Sequence, residues 1–386
     1  MSAIVFILLL SFLVIIHELG HFIAAQWAKV KTDEFGLGYP PKALKLFRWK
    51  NTDFTINWIP FGGFVRMQGE EGESHDDSVD AGQTEKTKVS QQKKKVTGQF
   101  YQAGVFQKLV IILAGASVNF VFGIIAFTIV FTKMGIPEEI SEARVGYVAD
   151  NSPAAQAGLQ KNVNIIGVKY DDQQFSLATT QEVIDKVYEF RGKTITLITT
   201  GACDQKVCQE SVHEYQVYVR TQEETPQNEG AMGIAFDSYV MVHYSSWEMP
   251  FRSAVYGVKQ AVGLGWMIVE AFSGILVGIF TKGTLPQDVA GPIGIVHQAQ
   301  STGILAEGWL TVLSFAGMLS INLAVMNVLP LPPLDGGRAV FVILEALLTK
   351  KRTQRIEYIF NYGGYILLFG LIIVITIKDV LRIFYG

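Results

Sequence analysis

Four stretches of the chain are apolar for long enough to cross a bilayer, at about 4–25, 105–133, 308–328 and 359–378. A crossing takes about 20 residues at a rise of 1.5 Å each, and each stretch meets that length. Between the first two the period changes. Phe54-Thr55-Ile56-Asn57-Trp58 alternates, Ala43 to Trp49 is partly apolar, and Lys50-Asn51-Thr52-Asp53 reads as the turn between them. The pattern predicts a β-hairpin over about 35–67, ending in Pro60-Phe61-Gly62-Gly63-Phe64, followed by a polar loop over 68–104. Glu138 to about Thr221 is the soluble-looking part. Strands are predicted over 194–199 and 215–219, with a helix from Thr180 to Phe190 ended near Gly192. The segment 223–307 reads as a linker. Its run Ala254 to Phe280 is apolar enough to suggest a span but is interrupted by Lys259, Gln260 and Glu270. With the first and third spans running the same way, zero or two crossings are allowed there and one is not, and the run is read as an amphipathic helix on the outer face. After the third span a proline-broken segment leads into a helix predicted from Arg338 to Leu348.

Composition sharpens this picture. With 49% hydrophobic and 17% charged residues the chain is membrane-like before it is globular. The formal net charge of -3 points to no partner class, and no basic and aromatic cluster suggests a nucleic-acid surface. The first span lacks a basic n-region and is longer than a signal-peptide core, so it reads as retained. The expected fold class is therefore an α-helical membrane protein with about four crossings, a membrane-associated β-hairpin and one inserted α+β domain.

The candidate chemistry sits inside the first span, at His17-Glu18-Leu19-Gly20-His21. Residues four apart share a helix face, so both imidazoles can reach one divalent metal, with Glu18 beside them. A bound metal lowers the pKa of its water from 15.7 toward roughly 7, and a neighbouring carboxylate can take and return the proton. Ionisable groups at membrane depth cost about 2.5–3.5 kcal/mol each on insertion scales, so their presence there calls for a task. A catalytic zinc takes three protein ligands and keeps a position for water. Asp335, in Leu334-Asp335-Gly336-Gly337 just after the third span, is the acidic residue placed to be the third; its competing reading is the N-cap of the following helix. Asn119, in the second span, reads as an interhelical hydrogen-bond partner.

The first and third spans must both run toward the metal side. Lys86, Lys88, Lys93, Lys94 and Lys95 before the second span, and Lys350, Lys351, Arg352 and Arg355 before the fourth, place those loops in the cytoplasm by the positive-inside rule. The domain at 138–222 is then extracytoplasmic and the metal site lies toward the cytoplasm. Cys203 and Cys208 sit between two strands of that domain, where a disulfide would clip a hairpin; metal binding would need two further ligands.

These residues together resemble the site-2 protease family of intramembrane zinc metalloproteases and, within it, the bacterial regulator-of-sigma-E proteases. The resemblance rests on His17 to His21, Gly62-Gly63-Phe64-Val65-Arg66, a PDZ-like insertion, Gly291-Pro292-Ile293-Gly294, and Asn327 to Gly337. It implies zinc on His17, His21 and Asp335, Glu18 as acid and base, and Asn327 holding the substrate backbone. It also implies a bacterial inner-membrane enzyme that cuts single-pass transmembrane segments or signal-peptide remnants. A transmembrane substrate must leave its helical ladder, and the hairpin edge at Gly62, Gly63 and Phe64 can pair with it by β-addition, or else simply close the cavity. Only one PDZ-like domain fits, and Asn162-Val163 stands where many such domains have Gly-Asp. Peptide capture there would use Gly146, Tyr147 and Val148. A zinc sensor, transporter or non-proteolytic scaffold is the competing class; it predicts polar residues along several spans rather than at one site.

Overall fold

The computed structural model describes residues 2–70, 98–227, 229–282, 291–304, 306–347 and 350–385. Most of the predicted polar loop, with Lys86 to Lys95, lies outside the described residues. In chain order the elements begin with α1 (Ser2–Trp27), β1 (Thr32–Trp49), β2 (Thr52–Met67) and α2 (Val105–Met134). Next come β3 (Ile136–Glu139), β4 (Ala143–Val148), α3 (Pro153–Gln156), β5 (Val163–Tyr170), β6 (Gln173–Ser176) and α4 (Thr180–Glu189). β7 (Thr194–Asp204), β8 (Val207–Cys208), β9 (Val212–Tyr218), β10 (Ile234–Phe236) and β11 (Tyr239–Val242) follow. The chain closes with α5 (Met249–Lys282), α6 (Pro292–Ser301), α7 (Trp309–Val328), α8 (Asp335–Leu347) and α9 (Lys350–Tyr385).

These elements form two compact units, one from Met1–Val130 with Ala254–Gly386, the other from Phe131–Ser253. Among the described residues, four helical stretches are long and apolar enough to cross a membrane: Ile4–Trp27, Val105–Met134, Trp309–Val328 and Ile359–Leu381. The chain is a multi-pass membrane protein. α5 is one continuous helix of 34 residues.

The predicted hairpin is longer than its alternating core and is folded back on itself. Lys42 to Trp49 pairs with Thr52 to Asn57, and the latter pairs again with Glu34 to Leu37, whose second neighbour is Gly63 to Arg66. The result is four strand segments in one sheet. The bends fall at Gly38 and Gly62, both at positive φ, and beside Pro40, Pro41 and Pro60, where a regular ladder cannot continue. The sheet is anchored on α1 by Phe22, whose ring meets those of Phe35 and Phe54 at 5.7 and 5.6 Å between centroids. Phe22 follows His21 directly, so the same turn of α1 carries the sheet and the candidate ligands. Beyond Gly62, the segment Gly63 to Met67 has a paired strand on one side only, among the described residues.

The second unit is a seven-stranded sheet in the order β10-β4-β5-β7-β8, with β6 on β5 and β9 on β7, and a separate two-stranded ribbon of β3 and β11. Its core is built from Val145, Ile165, Val168, Val183, Ile195 and Leu197. Two boundaries differ from expectation. Residues after 222, read as linker, supply β10 and β11, because their short alternating runs find partners in β4 and β3. And α8 begins at Asp335 rather than Arg338: the Arg338 amide donates to the Leu334 carbonyl at 3.2 Å, which closes the first helical turn over Asp335.

Candidate metal centre

His17 and His21 lie one helical turn apart on the buried face of α1, with their Nε2 atoms 3.1 Å apart. Asp335 Oδ2 stands 3.1 Å from His17 Nε2 and 3.3 Å from His21 Nε2. Three donor atoms from the two ends of the chain thus converge on one point. Two ligand atoms each about 2.0–2.1 Å from a tetrahedral zinc are separated by about 3.3 Å, so this spacing fits that ion. Asp335 is not the helix N-cap, since it occupies the first turn of α8.

Backbone packing sets this geometry. A Cβ on Gly20 would lie 2.6 Å from the Ala114 carbonyl oxygen, and one on Gly115 would lie 2.5 Å from His21 Nε2 and 2.8 Å from His17 Nε2. Glycine at both positions lets α1 and α2 meet backbone to backbone where the imidazoles need room. On the other side, a Cβ on Gly336 would fall 2.1 Å from the Val328 carbonyl oxygen. The missing side chain lets the first turn of α8 nest against the end of α7 and swings Asp335 back to α1.

The imidazoles are oriented from behind. His21 Nδ1 is 2.8 Å from the Ile111 carbonyl and donates to it, leaving Nε2 as the lone-pair nitrogen. His17 Nδ1 faces the Asn119 amide at 3.5 Å, and Asn119 Oδ1 is buried without a partner. The two ends of an amide are equivalent in shape. With the oxygen turned to His17, Nδ1–H donates, the orphaned acceptor is satisfied, and His17 Nε2 is free for a metal as well. Asn119, expected to serve helix packing, does so through its carbonyl, which accepts from Ser320 Oγ at 2.8 Å; its side chain belongs to the site. An Asn four residues after Gly115 was the available signal.

The three donors open into a cavity of about 460 Å³, which Glu18, Asn327, Gly63 and Phe64 also line. Sequence reasoning missed Tyr39, Tyr365, Glu70 and Arg338 on its wall. Arg338 donates to Glu70 across 2.6 Å, a pairing of residues 268 positions apart that no local pattern announces. Gly146, Tyr147 and Val148 are on β4 in the other unit, and Cys203 and Cys208 are joined there by a disulfide. Tyr147 and Val148 already pair with Ala235 and Ile234 of β10.

A family model described as peptidase family M50 matches residues 5–371. The chain belongs to that family. It is 30% identical over 381 residues to a provisionally named zinc metalloprotease of Clostridium perfringens, covering 97% of each chain. A similarly named protein of Clostridium acetobutylicum is 29% identical, covering 98% of this chain and 97% of that one. The zinc metalloprotease RasP of Bacillus licheniformis is 27% identical, covering 99% of both. The protein is an intramembrane zinc metalloprotease of the site-2 class, with membrane-protein substrates.

Proposed function

We propose that His17, His21 and Asp335 hold the zinc, that Glu18 is the general base and acid, and that the substrate lies extended between Asn327 and the edge at Gly63 to Met67. The observation that carries this reading is the convergence of the three donor atoms, at 3.1–3.3 Å, in the cavity that also holds Glu18. The bound ion would polarise the scissile carbonyl and acidify water. The chain's own groups do the rest. Glu18 takes the water proton and returns it to the leaving amide nitrogen. The unpaired edge beyond Gly62 supplies main-chain donors and acceptors to a peptide pulled out of its helix, and the close approach of Gly63 to Glu18, 3.4 Å from a virtual Cβ to Glu18 Cγ, puts that strand beside the base. Asn327 offers a donor and an acceptor from α7.

The second unit we read as a PDZ-like domain outside the cytoplasm, with the catalytic cavity toward the cytoplasmic side of a bacterial inner membrane. The pairing of Tyr147 and Val148 with β10 supports a selective or steric task for it rather than peptide capture at Gly146 to Val148. The substrate we expect is a single-pass segment, either a membrane regulator or a signal-peptide remnant.

Zinc content and cleavage of a model transmembrane substrate, compared in detergent for wild type, Glu18→Gln and Asp335→Ala, test the reading. Zinc without cleavage in the Glu18 variant and lost zinc in the Asp335 variant support it. Full zinc in the latter would break the three-ligand site.

A further inference from the structure

The second unit carries a cysteine pair to which the proposed zinc chemistry assigns no role. Cys203 and Cys208 face each other at the ends of β7 and β8, joined as a disulfide, and the two sulfurs have different surroundings. Cys208 Sγ accepts from Asn164 Nδ2 at 3.2 Å and lies 3.8 Å from Arg144 Nη2. Cys203 Sγ has the Thr200 hydroxyl at 3.6 Å, but that hydroxyl has one hydrogen and gives it to the Gly201 carbonyl at 3.0 Å.

Arg144 is the unusual member. It is only 4% exposed, and its other nitrogens donate to Asn164 Oδ1 and to the Gln205 carbonyl. Among the described residues no carboxylate lies within ion-pair distance of it. A buried cation without a counter-charge is costly, and a thiolate at Cys208 would supply one. The other charged or titratable groups nearby are Asp204 and Lys206 in the turn between the cysteines, and Asp237, Tyr239 and His243, which line a cavity of about 370 Å³ together with Arg144, Asp204 and Cys203. Lys206 is held by Glu138. Cys203 is the sulfur on that cavity; Cys208 is not among its lining.

We propose that the Cys203–Cys208 bond is a site of thiol–disulfide exchange, opened by an external thiol of the glutathione or dithiol-reductase class that attacks Cys203 from the cavity and expels Cys208 as a thiolate held by Arg144 and Asn164. In the first step a new S–S bond forms between the attacking sulfur and Cys203 Sγ, the Cys203–Cys208 bond breaks, and its electron pair stays on Cys208. A second thiolate then attacks the added sulfur, leaving Cys203 reduced and the reductant as its disulfide. The better stabilised leaving thiolate leaves faster, which is why the direction is from Cys203 to Cys208.

Opening the bond would also loosen a clamp. The turn between the cysteines grips the β3–β11 ribbon: Lys206 pairs with Glu138 of β3, and Gln205 Oε1 accepts from the His243 amide, just after β11, at 3.2 Å.

The test uses the full-length protein in detergent, exposed to reduced glutathione, quenched in acid and mapped by mass spectrometry after alkylation. Glutathione on Cys203 with alkylated Cys208 is the expected pattern. The alkylation rate of Cys208 should reach half its maximum at least one pH unit below the usual thiol value of about 8.5, giving roughly tenfold more thiolate at neutral pH. Arg144→Gln should move that midpoint upward, and Asn164→Leu gives the same readout should the Arg144 variant fail to fold. Adducts on Cys208, an ordinary midpoint in the wild type, or a disulfide untouched by excess glutathione in the folded protein would each overturn the proposal.

Discussion

His21 donates its Nδ1 hydrogen to the main-chain carbonyl of Ile111 at 2.8 Å, so one imidazole is steered by backbone that no substitution can remove. His17 has no such partner; its Nδ1 faces only the Asn119 side chain, which is fully buried. The two proposed ligands are therefore unequal in their dependence on sequence.

Asn119→Leu, similar in volume but without hydrogen-bonding atoms, should weaken zinc about 10–100-fold, the usual cost of losing such support behind a metal-bound His. A competition titration against a chromophoric chelator reads this directly. An affinity equal to wild type would mean that Asn119 acts only through its carbonyl and Ser320.

Gly115→Ala should be far more damaging than its size suggests. The added methyl would stand 2.5 Å from His21 Nε2 and 2.8 Å from His17 Nε2, with the backbone of α1 close behind. The rings must turn away or the helices part. We expect loss of bound zinc and of cleavage, whereas Gly104→Ala, whose methyl would meet nothing nearer than Gln107 Oε1 at 3.7 Å, should match wild type in both assays. Zinc retained by the Gly115 variant would show that the crossing relaxes more easily than this geometry implies.

What could be read in advance follows from the range of each signal. The four spans and His17, Glu18 and His21 are local: a run of apolar residues and a spacing of four, each visible within one turn or one crossing. Asp335 was legible because prolines and glycines mark the place where the backbone leaves its helix. The folded-back sheet was not. Its second set of partners, Glu34 with both Asp53 and Arg66, depends on bends at Gly38 and Gly62 whose effect on pairing no alternation pattern encodes. Glu70 with Arg338, and Arg144 beside Cys208, escaped for the same reason. Each joins residues far apart in the chain, and each is an ordinary surface-type charge until the fold buries or pairs it.

Asn327→Leu should separate substrate handling from metal binding. Asn327 lines the cavity but is not among the three converging donors, so zinc content should stay at the wild-type level. Loss of one or two hydrogen bonds to an extended substrate, at about 1–1.5 kcal/mol each, predicts cleavage slowed by roughly five- to a hundredfold. Should zinc fall together with activity, Asn327 would have to be reassigned to the support of the metal site.

Glu138 provides a pH test confined to the second unit. Hydrogen bonds from Lys206 first, and then from Tyr244, hold its carboxyl below the ordinary glutamate value of 4.5. A carboxylate whose folded pKa is depressed stabilises the fold fully above its unfolded value and loses that contribution as pH falls through the folded one. The tie between the Cys203–Cys208 turn and the β3–β11 ribbon should therefore be intact at neutral pH and weaken in acid, beginning just below about pH 4.5. Solvent reaches both partners and screens the pair, so the effect will be small in global unfolding and is better read locally. Hydrogen exchange at Tyr239 to Val242, converted to protection factors to remove the intrinsic pH dependence, should lose protection over that interval in wild type. Glu138→Gln should begin with lower protection at neutral pH and change less on acidification. Parallel profiles for the two proteins would place the grip on the ribbon in its main-chain pairing alone.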